Sequence, residues 1–113
     1  MPNHVEDYKH FQKITCDLMK ACPDVMTAFG DIHCASMQEG AVSTKYKELI
    51  AIGISIAVRC TGCIDAHVKS ALKAGATPEE INEAVGVAIL MAGGPGTAYG
   101  ALAIEALNQF TEK

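Results

Sequence analysis

The chain has 113 residues, of which 50% are apolar and 19% are charged, and its formal net charge is −4. This length suits one domain spanning residues 1–113, the composition excludes a disordered chain, and the acidic balance argues against a nucleic-acid surface. The apolar content is high for a lone small domain, so we expect self-association into a homo-oligomer.

Two features indicate where the protein resides. The N-terminal stretch MPNHVEDYKHFQK has no apolar segment of the kind a signal peptide carries, and the longest apolar run, residues 49–58, is too short to cross a bilayer. We therefore expect a cytoplasmic protein without membrane contact.

Because the five cysteines are an odd number, a static disulfide framework is not expected, and a CxxC pair favours catalysis or metal binding.

The first half of the chain predicts two amphipathic helices. The first covers residues 5–22, and the second starts at Pro23, a residue suited to the first turn. Apolar residues recur along the second helix at helical spacing: Val25, Met26, Phe29, Ile32 and Met37.

Several cysteines and histidines in these two helices are expected to have no chemical role. We expect three thiols to be core or half-buried, and two histidines near the N-terminus to be solvated. His33 is interpreted as incidental to its cysteine neighbour. The three thiols are Cys16, Cys22 and Cys34, and the two histidines are His4 and His10.

A third helix is predicted after Ser43, a suitable N-cap. Within it Ile50, Ile52, Ile54 and Ile56 alternate with small residues, a strand-like period of two. No other segment offers a partner strand, and a single strand cannot satisfy its backbone groups. We therefore predict a helix that is apolar all round and buried centrally or in a subunit interface.

The last third of the chain has the clearest helical signals. Thr77 is a good N-cap, Pro78 follows at the first helical position, and Glu80 completes a capping box. A tight turn is predicted at residues 93–96 and a final helix over residues 97–110. Together with a helix after the CxxC pair, these elements predict an all-α fold of about six helices.

The stretch RCTGCIDAHVKSALKAG, residues 59–75, carries the chemistry. If a helix begins near Thr61 or Gly62, Cys60 and Cys63 lie at its N-terminal end, where free N–H groups favour a thiolate. Cys63 and His67 are four residues apart and share one helix face, so the imidazole can take the thiol proton or stabilise the thiolate. Cys60 is close enough to form a disulfide with Cys63. The plainer alternative is two core thiols and a satisfied polar histidine.

These residues resemble a known family. Glu48, then eleven residues, then Cys60, Cys63 and His67 at the spacing E-x11-C-x2-C-x3-H, is similar to the signature of the alkylhydroperoxidase D branch of the carboxymuconolactone decarboxylase family. The resemblance covers roughly residues 43–101.

The resemblance implies an all-α, AhpD-like helical fold that assembles into homo-trimers or homo-hexamers. It implies cofactor-free reduction of a small-molecule hydroperoxide: Cys63 attacks the peroxide and becomes a sulfenic acid, Cys60 condenses with it, and a dithiol or protein reductant restores the pair. His67 and Glu48 then shuttle protons. Well-studied peroxidase members carry a further histidine just before the second cysteine, where this chain has Gly62.

Two other functions stay open. A non-redox enzyme of the same fold, such as a lactone decarboxylase, would use His67 and Glu48 for acid–base chemistry. A metal-binding module would use Cys60, Cys63 and His67, with a fourth ligand from Glu48, His33 or Cys34.

Glu48 joins any of these sites only under a geometric condition. On one straight helix it lies about 18 Å from Cys60. It can therefore take part only if the next helix crosses back over it, or if a partner subunit supplies the contact.

Overall fold

The computed structural model describes residues 3–112. That range folds into six α-helices and contains no strand, which confirms the predicted all-α fold. The helices are α1 (His4–Ala21), α2 (Pro23–Met37), α3 (Thr44–Ala57), α4 (Thr61–Lys73), α5 (Pro78–Ala92) and α6 (Gly94–Thr111).

The hydrophobic core is built by the last four helices. α3 packs against both α4 and α5, and α6 closes the bundle against α4 and α5. The largest fully buried side chains are Ile52 and Ile56 from α3, Ile64 and Val68 from α4, and Ile81 from α5. α1 lies outside this bundle against α4 and α6, and α2 makes its few contacts with α1 and α3.

The segment of alternating isoleucines is a helix, as predicted. Ile52 and Ile56 are fully buried, whereas Ile50 and Ile54 are 55% and 57% exposed. Residues four apart share a helix face, so an alternating sequence places one isoleucine pair on the core and the other pair on the protomer surface. The helix is thus buried on one side within the protomer.

The corner between α3 and α4 sets the geometry of the CxxC pair. The Arg59 N–H donates to the Ile56 carbonyl at 3.2 Å and the Cys60 N–H donates to the Ser55 carbonyl at 3.0 Å. This is a Schellman motif, and it places Arg59 in the left-handed region with φ +60°. The corner is so short that Cys60 itself is the N-cap of α4.

The caps predicted for the later helices are mostly confirmed. Thr77 and Glu80 form the reciprocal capping box, with hydrogen bonds of 2.9 Å and 3.1 Å. The predicted turn at 93–96 is shorter than expected, because Gly93 alone breaks the chain at φ +70° and α6 starts at Gly94. Pro95 fits within the first turn of α6, since its nitrogen needs no hydrogen bond there.

The interpretation of α1 and α2 needs correction. α2 has no buried residue, and Val25, Phe29 and Ile32 are 61–70% exposed. The cysteines expected to be core or half-buried are exposed: Cys16, Cys22 and Cys34. The apolar stripe is real, but this protomer places no helix over it. Conversely His4, expected to be solvated, is buried.

Candidate functional site

The two cysteines of the CxxC pair are joined by a disulfide at the start of α4. The Cys60 sulfur also accepts a hydrogen bond of 3.1 Å from the Cys63 N–H, as an N-cap side chain does. The sulfur therefore lies at the positive end of the helix dipole, where a thiolate is stabilised after reduction. Both residues are half-buried.

Glu48 and His67 form the second part of the site. The His67 Nδ1 and a Glu48 carboxylate oxygen lie 2.7 Å apart, with side-chain exposures of 21% and 7%. This contact orients the ring and leaves Nε2 as its other proton-exchanging atom. His67 follows Cys63 by one helical turn. The helix that crosses back over Glu48 is α4 of the same chain, so no partner subunit is needed for the contact.

A cleft of 690 Å³ opens beside Cys60. Its walls are the first half of α1, the α3–α4 corner, the start of α4 and Leu102 of α6. Arg59 and Phe11 lie in these walls, so the disulfide adjoins a space with both a cationic and an apolar lining.

The Phe11 ring lies close to position 62. A Cβ built on Gly62 would lie 3.3–3.4 Å from three carbons of the Phe11 ring. Position 62 is thus covered by an aromatic side chain of α1.

A polar cluster in the wall of this cleft was not expected from the sequence. The His4 Nδ1 lies 2.5 Å from an Asp65 oxygen and its Nε2 lies 2.8 Å from a Glu105 oxygen. The His4 N–H donates to Gln109 at 2.5 Å. These contacts tie the N-terminus of α1 to α4 and α6. No sequence signal links residues so far apart in the chain.

The pKa values of this cluster are shifted. Burial works against protonation of His4, but hydrogen bonds and charges from Asp65 and Glu105 outweigh it and raise the His4 pKa. Burial raises the Asp65 pKa, although the His4 hydrogen bond acts in the opposite direction. The folded cluster therefore holds protons more tightly than the unfolded chain does.

His33 is the other residue whose place the sequence did not indicate. Its ring, on α2, lies near-parallel to that of His67, with ring centroids 6.4 Å apart and an interplanar angle of 22°. The sequence interpretation of His33 as incidental does not account for this contact.

An apolar groove of 380 Å³ runs between α3 and α5, with Ile50, Ile54 and Met91 in its lining. Within residues 3–112, no set of three or more His, Cys, Asp or Glu side chains is grouped as a metal site requires. Over the same range, no helix combines the length and hydropathy needed to cross a membrane.

Comparison with known proteins places this architecture among relatives. An uncharacterized protein from Cupriavidus necator is 36% identical over 94 residues, which are 80% of this chain and 83% of that protein. The crystal structure of a carboxymuconolactone decarboxylase family protein from Legionella pneumophila superimposes with a TM-score of 0.92 at 36% identity, over 96% of this chain and 97% of that one.

A second solved structure supports the fold alone. A carboxymuconolactone decarboxylase family protein from Thermotoga maritima gives a TM-score of 0.82 at 23% identity, over 91% of this chain and 88% of that one. The model of the carboxymuconolactone decarboxylase family itself matches residues 23–106. By its helices, its close structural relative and this match, the chain belongs to the carboxymuconolactone decarboxylase family.

Proposed function

We propose that this protein is a thiol-dependent peroxide reductase and disulfide oxidoreductase of the alkylhydroperoxidase D type. The observation that carries the proposal is the Cys60–Cys63 disulfide at the N-terminus of α4, with Cys63 one turn from an imidazole held by a buried carboxylate. Helix termini and basic neighbours are the surroundings that make a thiol nucleophilic.

The first half-reaction begins with the reduced pair. The Cys63 thiol gives its proton to His67, whose positive charge Glu48 stabilises at 2.7 Å. The thiolate attacks one peroxide oxygen and the O–O bond breaks. His67 then returns the proton to the departing alkoxide, so that Cys63 becomes a sulfenic acid and an alcohol leaves.

In the second half-reaction the Cys60 sulfur attacks the sulfenic sulfur of Cys63. The S–S bond forms, and hydroxide leaves as water after taking up a proton. A dithiol or protein reductant, which becomes oxidised to a disulfide, restores both thiols. The cleft beside Cys60 gives such a reductant access to that sulfur. We infer that the reaction runs in the cytoplasm, where such reductants are abundant.

Counting thiols before and after hydroperoxide tests the proposal. Because Cys16, Cys22 and Cys34 are exposed and can oxidise independently, the background should be the variant in which all three are serine. One equivalent of hydroperoxide should remove both remaining thiols, and Cys63→Ser should leave the Cys60 thiol able to react only slowly. If both thiols of the background variant persist under excess hydroperoxide, the proposal is wrong.

The Glu48–His67 contact also favours a second candidate. A non-redox decarboxylase of this family would need only that acid–base pair, with the sulfurs lining the pocket. Lactone turnover that survives the double change Cys60→Ser and Cys63→Ser would support this alternative.

We also propose that second copies of this chain cover its exposed apolar surface, as a homo-trimer or homo-hexamer. The groove between α3 and α5 includes Met91, which is 78% exposed, and Leu90, the residue before it on α5, is 79% exposed. Patches of this kind on soluble proteins mark association surfaces. Light scattering should give a mass above 11.9 kDa for the wild type and a smaller mass for Leu90→Glu. An exposed lysine on another face, Lys20→Glu, is the control.

A further inference from the structure

His33 on α2 faces the site from outside the core. Its side chain is exposed, whereas His67 is only 21% exposed and Glu48 is buried. The near-parallel rings of His33 and His67 have centroids 6.4 Å apart. One water can bridge ring nitrogens across a gap of this size. His33 is therefore an exposed imidazole within reach, through one water, of the half-buried His67 ring.

The proposed reaction gives such a link a role, and this inference rests on that proposal. His67 gives its proton to the alkoxide in the first half-reaction and is then neutral. In the second, the Cys60 thiol loses a proton when its sulfur attacks, and hydroxide leaving Cys63 requires one. His67 can supply it after regaining a proton, and that proton can come from the Cys60 thiol or from solvent.

We propose that His33 delivers this proton from solvent to His67. The proton moves from bulk water to His33, then to His67, and then to the leaving hydroxide, which departs as water. The Cys60 proton enters solvent through the cleft beside that residue. One proton is therefore taken from solvent and one is returned to it, so the overall reaction consumes no net proton. His33 touches no reacting atom and acts through His67, as a positioning residue.

The other charged groups around α4 do not fit the role proposed for His33. Glu48 on α3 is bound to the His67 Nδ1. From α1 and α6, His4 and Glu105 engage each other and Asp65 of α4. Asp7 and His10 of α1 line the cleft beside Cys60 and Asp65, with no recorded contact to His67. Glu80 at the start of α5 pairs with Lys45 at 3.0 Å. Among the described residues, Glu48 and His33 are the ionisable groups in recorded contact with the His67 ring, and His33 is the exposed one of the two.

The direct test is the solvent exchange of the His67 ring N–H, followed by NMR in protein with ¹⁵N-labelled histidine. It is measured on the oxidised protein and needs no peroxide. His33→Gln keeps the polarity and approximate size of the side chain but cannot relay a proton, so we expect exchange to slow about ten-fold. Asp31→Asn, on the same helix, is the control and should leave the rate unchanged.

Chemical rescue separates proton relay from a structural effect. Free imidazole added to His33→Ala should restore exchange, and it should also restore the rate of disulfide formation in a single turnover with hydroperoxide. An exchange rate in His33→Gln equal to that of the wild type, or a His33→Ala rate that imidazole does not raise, would overturn the inference. Thiols that persist in the wild type under hydroperoxide would instead refute the proposed function, and the exchange measurement would still decide on His33.

Discussion

Glu48 and His67 are 19 positions apart in the sequence and 2.7 Å apart in the structure. The Schellman corner at Arg59 brings them together, because it reverses the chain within three residues and lays α4 along α3. A carboxylate that is 7% exposed has given up most of its hydration, and the imidazole is the group that compensates for it. The pair is thus both a packing contact and a unit for proton transfer.

The charge of Glu48 is the first property to test. Glu48→Gln preserves a hydrogen bond to His67 but removes the negative charge that stabilises the imidazolium. We expect the second-order rate constant for oxidation by hydroperoxide to fall roughly ten- to a hundred-fold. Glu83→Gln removes an exposed carboxylate from α5 and should have no effect. Equal rates in the two variants would show that the Glu48 charge plays no part.

Local patterns in the sequence predicted most of the fold. The capping box at Thr77 and the N-cap at Ser43 depend on neighbours three residues apart, and they appear as predicted. The burial of α1 and α2 could not be predicted in this way. An apolar helical face such as that of Phe29 indicates that the face is buried. It does not indicate whether the same chain or another chain buries it.

The same limit applies to the site. Cys60, Cys63 and His67 lie within eight residues, so helix geometry alone brings them together. Glu48 required knowledge of where the next helix runs, and the family resemblance supplied that expectation. His4 and His33 come from helices outside the core, and no local spacing connects either residue to its partners.

The His4 cluster makes a prediction about stability. His4→Ala would leave the Asp65 carboxylate buried without its histidine partner, at a cost of about 2 kcal/mol in the free energy of unfolding. His10→Ala removes an exposed histidine from the same helix and should change that free energy little. Urea denaturation at a fixed protein concentration compares the two variants. Similar losses in both would mean that the cluster contributes nothing specific.

The same cluster predicts a dependence of stability on pH. The pKa of His4 is raised above 6.5, so its contribution is fully present below that pH and is lost as pH rises through the folded value. The pKa of Asp65 is raised above 3.8, so ionisation of this buried carboxyl also destabilises the fold as pH rises. Both shifts have the same sign.

We therefore expect the free energy of unfolding to fall as pH increases through the range above 6.5. His4→Gln should flatten this part of the profile, because glutamine does not titrate. Unfolding measured at a series of pH values for both proteins tests the expectation. A wild-type profile that rises over this range, or one that His4→Gln leaves intact, would contradict it.

The corner residue Arg59 offers a gain in stability. Arg59 adopts φ +60° at the same position of its Schellman motif that Gly75, with φ +95°, takes after α4. A left-handed conformation costs a residue with a Cβ roughly 1–2 kcal/mol. Glycine avoids this cost, but it loses more conformational entropy on folding, which offsets part of the gain. Arg59→Gly should raise the free energy of unfolding by about 0.5–1 kcal/mol. Gly75→Ala should lower it, and an unchanged or lower value for Arg59→Gly would refute the account.

Gly62 tests whether the covering ring of Phe11 keeps a further histidine out of the site. Gly62→His would place its Cβ 3.3 Å from the Phe11 ring. The ring must then move by a few tenths of an ångström, and we expect a loss of stability of about 1 kcal/mol. Gly30→His is the matched control, because a Cβ at Gly30 meets nothing within 4 Å.

Adding Phe11→Ala to Gly62→His removes the obstruction, so the double variant should be more stable than the sum of the two single losses predicts. With the ring gone, the new imidazole has room beside Cys63, and we expect faster oxidation by hydroperoxide in the double variant than in Phe11→Ala alone. Additive losses in the double-mutant cycle would show that Phe11 and position 62 do not compete for the same space.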